Sequence, residues 1–389
     1  LEKADASTQT EKYSNQNKSG ILMKTFKTGK AGILLMAAMA LFTTSCTRKT
    51  VTPDYPTMIA HRGCWLKGLV PENSVEAVRM AKRFGYTGIE CDVHYTKDSV
   101  MVILHDKTLN RTARRAADYG KLEQPVKLSD LTFEELRRDY VLASSDPSLR
   151  TPVPTLTELL SACKENGITP MLHSSLPESY RVAQEMFGDE WICFHGSDSL
   201  HKLVRTFSNC LTLLDPGADK SAESAIERLN RIGGRAGIST MKKELLTQPY
   251  CQALRQAGYE VQASIFPCPH EAQATRNGVS ILLTDFSLMP NSKFKPWDVW
   301  ESEYTTMLPQ EKIEKKWAES IDYGGLTLEL DFKGTVEVRL NNENIYTLTR
   351  EDYGQDCVGL RFHHSVPSFQ IEAKDSTDLK YVKSNVYKF

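Results

Sequence analysis

Short apolar runs bounded by turn formers recur along the chain, near residues 58–60, 87–92, 169–173, 191–195, 211–214, 236–240, 260–265 and 280–284. Each is too short for a helix and reads as a buried strand. Between them the apolar positions follow helical spacing, as over residues 155–165 and over 242–257, where Gly258 provides a stop. Eight strands alternating with helices predict an α/β chain closed into a barrel over residues 56–291.

The first strand–helix–strand unit carries the clearest local signals. Asn73, with Glu76 three residues on, reads as a capping box, and Val75, Val78, Ala81 and Phe84 make an apolar helix face. Between Val93 and Val100 too few residues intervene for a parallel crossover. Residues 100–104 are therefore expected to return as a hairpin arm after a turn near Lys97 and Asp98. Counting back from that turn places His105 about level with Glu90. An insertion after strand two, residues 96–152, holds this hairpin and a predicted helix over 128–138, placed to roof a pocket.

After residue 292 the pattern changes. A linker over 292–320 contains a predicted helix at 310–318. Runs at 326–332, 335–340, 344–348, 359–362 and 369–372 alternate apolar and polar residues, with turns expected at Lys333-Gly334 and at 341–343. Strict alternation predicts a small antiparallel β-sandwich over 321–389. Trp297, Trp300, Tyr304 and Trp317 either pack the two domains together or stack on sugars, which leaves a glycan contact by this domain open.

At the other end, a basic stretch from Met23 to Lys30 precedes twelve apolar residues, 31–42. That run is shorter than the roughly twenty residues a bilayer span needs. Small residues then precede Cys46, a pattern that resembles a bacterial lipoprotein signal cleaved before a lipidated cysteine. Residues 1–22 read as a non-native extension, 23–45 as the signal and 46–55 as a tether. A lipid on Cys46 would hold the chain at a membrane in the bacterial envelope, either in the periplasm or on the outer surface.

Composition narrows the partners. The 389 residues carry 48 Lys and Arg against 49 Asp and Glu, so no basic field points to nucleic acid. The 9 cysteines show no metal-ligand spacing, and those in apolar patterns read as small buried hydrophobes.

Candidate chemistry gathers in the first third. His61-Arg62-Gly63, Pro71-Glu72-Asn73-Ser74, Glu90-Cys91-Asp92 and His105-Asp106 all lie on, or just after, short apolar runs. Strand alternation puts Glu90 and Asp92 on one face. Two adjacent carboxylates repel, so one takes a proton or a cation sits between them. An all-oxygen pair favours Mg²⁺ or Ca²⁺. A solvated strand edge would carry the same two residues without any role. His61 and His105 reach the same side by independent routes, and the fork of Arg62 suits phosphate oxygens. His195 reads as structural and Asp285 as a cap or brace.

These motifs resemble the glycerophosphodiester phosphodiesterase family. The likeness rests on His61-Arg-Gly, Pro71-Glu-Asn-Ser, Ile89-Glu-Cys-Asp-Val, Thr96-Lys-Asp, His105-Asp-Lys-Thr-Leu-Asn-Arg111-Thr112, Val153-Pro-Thr-Leu-Thr-Glu-Leu159 and Leu283-Thr-Asp285. It covers about residues 58–290 and implies a TIM (β/α)8 barrel. The implied reaction is divalent-cation-dependent hydrolysis of glycerophosphodiesters to glycerol phosphate and an alcohol. By the resemblance His61 and His105 are general acid and base, Arg62 binds phosphate, and Glu90 and Asp92 are metal ligands. The chain departs where the family carries a Glu-x-Lys pair: His173 stands at the Glu position, as an expected third ligand, and Ser175 at the Lys position. A tryptophan frequent on a later strand is absent, since that segment reads Tyr259-Glu-Val-Gln-Ala-Ser264-Ile. Two other readings fit the same residues. One is a related phosphoinositide or sphingolipid phosphodiesterase; the other is a glycan-binding surface lipoprotein whose altered site no longer turns over.

Overall fold

The computed structural model describes residues 56–217, 220–266, 268–285, 295–342 and 344–389. The expected signal segment and Cys46 lie outside them. Eleven strands precede the C-terminal region. They are β1 (Thr57–Ala60), β2 (Gly88–Tyr95), β3 (Met101–Ile103), β4 (Ala113–Arg115), β5 (Tyr140–Leu142), β6 (Thr169–His173), β7 (Ile192–Phe194), β8 (Leu211–Leu214), β9 (Ala236–Thr240), β10 (Glu260–Ser264) and β11 (Ile281–Thr284). Leaving out the three strands of the insertion, the parallel order is β1-β11-β10-β9-β8-β7-β6-β2, and β2 pairs back onto β1. The chain is a closed TIM barrel of eight strands.

Strand alternation sorts the core. Ile59, Met171, Ile192, Leu211, Leu213, Ile281 and Leu283 form one buried cluster inside the barrel. Their chain neighbours, such as Met58, Ala60, Leu172 and Leu282, join the larger cluster under the helices. Continuing the inward parity by two residues carries Ile59 to His61, Met171 to His173 and Leu283 to Asp285. Cys64, Cys91, Cys163, Cys193, Cys210 and Cys251 are free thiols and buried, and Cys357 is buried in the C-terminal sheet.

Several boundaries differ from expectation. Helix α1 (Val75–Arg83) is capped by Ser74, whose hydroxyl accepts from Ala77 N; Asn73 takes no part in the cap. In the insertion, residues 128–130 form a separate 3-10 turn, and α2 (Phe133–Asp139) starts only after Thr132, which makes a capping box with Glu135. Extended backbone at Leu131 breaks the two apart. The insertion closes around its own core of Val102, Leu104, Leu109, Leu136 and Leu142. Its expected role as a roof reduces to one residue, since His105 alone from this segment lines the cleft described below. Further helices are α3 (Leu156–Asn166), α4 (Pro177–Phe187), α5 (Asp198–Arg205), α6 (Ala222–Ile232), α7 (Gln248–Gln256) and α8 (Cys268–Arg276). Helix α7 begins later than residue 242, because Pro249 belongs in a first turn. Lys242 is thereby left in the β9 loop.

The C-terminal strands are β12 (Asp298–Glu303), β13 (Thr306–Met307), β14 (Lys312–Lys316), β15 (Ile321–Leu340), β16 (Asn344–Ser365), β17 (Ser368–Ala373) and β18 (Thr377–Lys388). The expected helix at 310–318 is instead β14, an edge strand paired with β17 through Ile313 and Ile371. Lys333-Gly334 is no turn: β15 runs straight through it, with a register shift against β16 and Gly334 at φ +119. Asn341 and Asn342, both at positive φ, do turn the chain. The result is one antiparallel sheet of seven strands built on β15. Trp300 and Trp317 pack on Phe369 within it, and the Trp317 indole donates to Asp298 at 2.6 Å.

Helix α1 joins barrel and sheet. Phe84 meets Tyr323 and Phe389 at ring separations of 6.0 and 5.0 Å, and the Arg361 guanidinium lies 3.9 Å over Tyr86. On the far side Arg276 donates to Asp356 at 2.7 Å.

Gly237 tests the barrel packing, because a Cβ there would overlap the Glu260 carbonyl of the neighbouring strand. Gly237→Ala is expected to destabilise the chain by about 1–3 kcal/mol, read as a lowered midpoint in urea denaturation.

Candidate active site

The carboxyl ends of the strands open into a cleft of about 530 Å³. His61, Arg62, Glu90, Asp92, His105 and His173 all line it. Each arrives by a different local device.

His61 follows β1, and its backbone N–H donates to the Thr284 carbonyl at 3.1 Å, which extends the β1–β11 pairing by one residue. The chain then turns through Arg62 at φ +56 and Gly63 at φ +76. A Cβ on Gly63 would come within 2.6 Å of the Ala77 Cβ on α1, so only glycine fits this turn. The turn points the Arg62 N–H at Glu90, 3.1 Å from its Oε2. His61 Nδ1 lies 2.7 Å from Asp285 Oδ1, at the end of β11. With Nδ1 held by a carboxylate, Nε2 is the nitrogen left for chemistry.

Glu90 and Asp92 project from β2 and are almost fully buried. Burial, reinforced by the Asp92 charge, pushes the Glu90 carboxyl well above the ordinary range. Burial works the same way on Asp92, but hydrogen bonds from His173 and Asn73 outweigh it and hold that carboxyl below its usual value. The pair is therefore built to share one positive partner, a proton or a cation. Asn73, expected as a helix cap, clasps Asp92 instead. Its amide donates to Oδ2 at 3.0 Å while its carbonyl accepts the Asp92 N–H at 3.3 Å.

His173 ends β6, in register with Asp92. Its Nδ1 stands 3.2 Å from Asp92 Oδ1 and 3.8 Å from Glu90 Oε1. One ligand atom from each of Glu90, Asp92 and His173 falls within 4.8 Å of the others. Two carboxylate oxygens and an imidazole nitrogen at that spacing suit a divalent cation. The His173 ring also packs on Phe194 at 4.9 Å. Ser175 turns toward His195, with 3.4 Å between Oγ and Nε2.

His105 has its own carboxylate, Asp106, at 2.6 Å from Nδ1. Arg111 grips both oxygens of Asp106 at 2.7 and 3.0 Å and both oxygens of Glu72 at 2.7 and 2.8 Å. Glu72 in turn accepts from Arg62 Nη1 at 3.1 Å. A single guanidinium thus braces the supports of His105 and Arg62 together. The hydrogen bonds from Arg111 are the main reason the Asp106 carboxyl is held down at about 2.

Sequence reasoning assigned no role to Asn73 at the carboxylates, to Asp106 or to the Glu72–Arg111 clamp. Asp285 was readable as a brace, and inward parity from Leu283 is the signal that points it at His61.

The sequence model of the Glycerophosphoryl diester phosphodiesterase family matches residues 61–186. Glycerophosphodiester phosphodiesterase 1 of Mus musculus is 29% identical over 175 residues, covering 41% of this chain and 49% of that protein. A glycerophosphodiester phosphodiesterase of Bacillus altitudinis is 38% identical over 104 residues, 26% of this chain and 38% of that one. The chain therefore spans about half or less of the length of these relatives. Among solved structures, a glycerophosphoryl diester phosphodiesterase from Silicibacter pomeroyi aligns with a TM-score of 0.49 at 20% identity, over 60% of this chain and 91% of that one.

Asp106 titrates lower in the folded chain than its ordinary 3.8, so it adds stability above that pH and loses it as pH falls toward about 2. Over that window the urea midpoint of the wild-type chain is expected to drop more steeply than that of Asp106→Asn. Parallel curves would remove the Asp106 contribution.

Proposed function

The chain carries a Glycerophosphoryl diester phosphodiesterase family domain over residues 61–186, and on that footing we propose that it hydrolyses glycerophosphodiesters to glycerol phosphate and an alcohol. One observation carries the reading. Two imidazoles, each oriented through Nδ1 by its own carboxylate, line a single cleft with an arginine and three side chains spaced to hold a cation.

A divalent cation held by Glu90, Asp92 and His173 would draw charge off the phosphate oxygens. The two carboxylates favour Mg²⁺ or Ca²⁺, and the imidazole moves the balance toward transition ions. Arg62 supplies fixed positive charge beside it. Its buried Nε has no hydrogen-bond partner among the described residues and lies 3.9 Å from Asp92, a donor left over for a phosphate oxygen. His61 and His105 divide the proton work. One takes the proton of the attacking oxygen, from water or from the substrate hydroxyl beside the phosphate; the other returns a proton to the departing alcohol. Asp285 and Asp106 steady the imidazolium that forms in each case. Ser175, where the family carries lysine, leaves the anion to Arg62 and the cation.

The expectation at Cys46 is kept as part of this proposal: the chain works in the bacterial envelope, tethered by lipid on that residue.

With Mg²⁺ or Ca²⁺ supplied, the purified chain is expected to release choline from glycerophosphocholine, and a chelator is expected to stop it. His61→Ala should lower kcat/KM by about 100-fold or more, and undiminished turnover in that variant would remove the assignment. In cells fed labelled palmitate, label should enter the wild-type chain and be lost in Cys46→Ser.

A further inference from the structure

We propose that the groove between α8 and the first residues of β16 is a docking site for an extended, acidic segment of a partner polypeptide, which joins the C-terminal sheet as a further strand. The inference goes beyond the phosphodiesterase reading and does not depend on it.

The sheet topology places the groove. β15 carries β17 and β18 on one side and β16 on the other, and no further described strand pairs with β16. The sheet therefore ends at the outer edge of β16, where α8 of the barrel stands across a groove of about 340 Å³. On the helix side His270, Gln273 and Arg276 line it, three apart and so in one row along α8. On the sheet side every residue from Ile345 to Thr349 lines it. Successive side chains of a strand point to opposite faces, and here Ile345, Thr347 and Thr349 are exposed while Leu348 is buried. A cavity that meets all five in turn follows the backbone edge and not one face. A strand edge facing a helix across a gap is a form in which an added strand is taken up.

The composition of this edge sets it apart from the other two. β12 exposes Asp298, Glu301 and Glu303, and β14 exposes Lys312, Glu314 and Lys316. Charges of that kind keep a sheet edge from pairing with another chain. Residues 344–349 read Asn-Ile-Tyr-Thr-Leu-Thr, with no charge, proline or glycine, and are rich in β-branched and aromatic side chains. Ile345 is 50% exposed. Two edges are guarded and the third is left able to pair. Five residues of strand span about 17 Å, so the occupant is a short segment.

Electrostatics select its chemistry. Arg276 donates to Asp356 at 2.7 Å, and Arg350 stands 3.5 Å from the other oxygen of the same carboxylate. Asp356 is the one acidic residue among the described lining, and two guanidinium groups already share it. Lys243, exposed at the helix end of the groove, donates to His270 Nε2 at 3.0 Å, which keeps that imidazole neutral. Lys243, Arg276 and Arg350 thus outnumber the carboxylate. The balance calls for Glu or Asp on the incoming segment.

The test uses the purified full chain and a phage-displayed library of random octapeptides. Selected peptides are expected to alternate β-branched residues with others and to carry Glu or Asp at a fixed place. With the tightest of them bound, hydrogen exchange should slow at amides 345–349. Two synthetic versions of that peptide, N-methylated at its odd or at its even positions, identify strand addition without altering the protein. One should bind at least about tenfold more weakly and the other as before, because only alternate N–H groups face the sheet. Lys243→Gln should weaken the peptide by about threefold and leave its carboxamide version unaffected. Failure to enrich any peptide, selection of peptides without a carboxylate, protection confined to another surface, or equal loss in both methylated versions would overturn the proposal. So would sedimentation of the chain alone as a dimer with amides 345–349 protected, which would give the groove to a second copy.

Discussion

Two carboxylates on one face of β2, both shut away from water, set the terms for everything around them. Glu90 and Asp92 cannot both carry charge in that setting without a positive partner. The surrounding structure supplies partial answers from four directions: a backbone N–H from Arg62, an amide from Asn73, an imidazole from β6 and a guanidinium edge near 4 Å. None of these alone balances the pair. A doubly charged ion would do so, and Glu90, Asp92 and His173 each offer a ligand atom within 4.8 Å of the others. The sharp turn at Arg62-Gly63 exists to bring that backbone N–H in, and its fit against Ala77 ties α1 to the same point.

A second level of organisation lies in how the imidazoles are held. His61 leans on a residue from the last strand, His105 on the residue beside it in sequence. Closure of the barrel therefore decides the first, whereas the second depends on Arg111 within the insertion. Because Arg111 also braces Glu72, and through it Arg62, the insertion acts on the Arg62 side of the cleft through this clamp and lines it only with His105.

Legibility in the sequence followed the range of the interaction. All eight barrel strands were readable because burial on both faces leaves unbroken apolar runs, and the β2–β3 hairpin because six residues cannot make a crossover. Strand alternation put Glu90 and Asp92 on one face, and the resemblance set His173 beside them; the structure brings one ligand atom of each within 4.8 Å of the others. The failures were local rules overruled by distant partners. Asn73 has the chemistry of a cap, but Ser74 takes that place and frees it for Asp92. Lys312–Lys316 is rich in helix formers, yet pairing with β17 makes it a strand. Lys333-Gly334 has the composition of a turn, but the pairing of β15 with β16 and β18 carries the strand through it as an irregularity.

The junction at α1 makes the sheet part of the barrel's wall. The rings of Tyr323 and Phe389 pack on Phe84 and the guanidinium of Arg361 on Tyr86, so the sheet covers this flank of the barrel. The same helix begins at Ser74, one residue after the amide that grips Asp92. An excised barrel would thus bring a sticky flank into water and loosen the mounting of its own acidic centre, so the two halves have to be inherited, and engineered, as one piece.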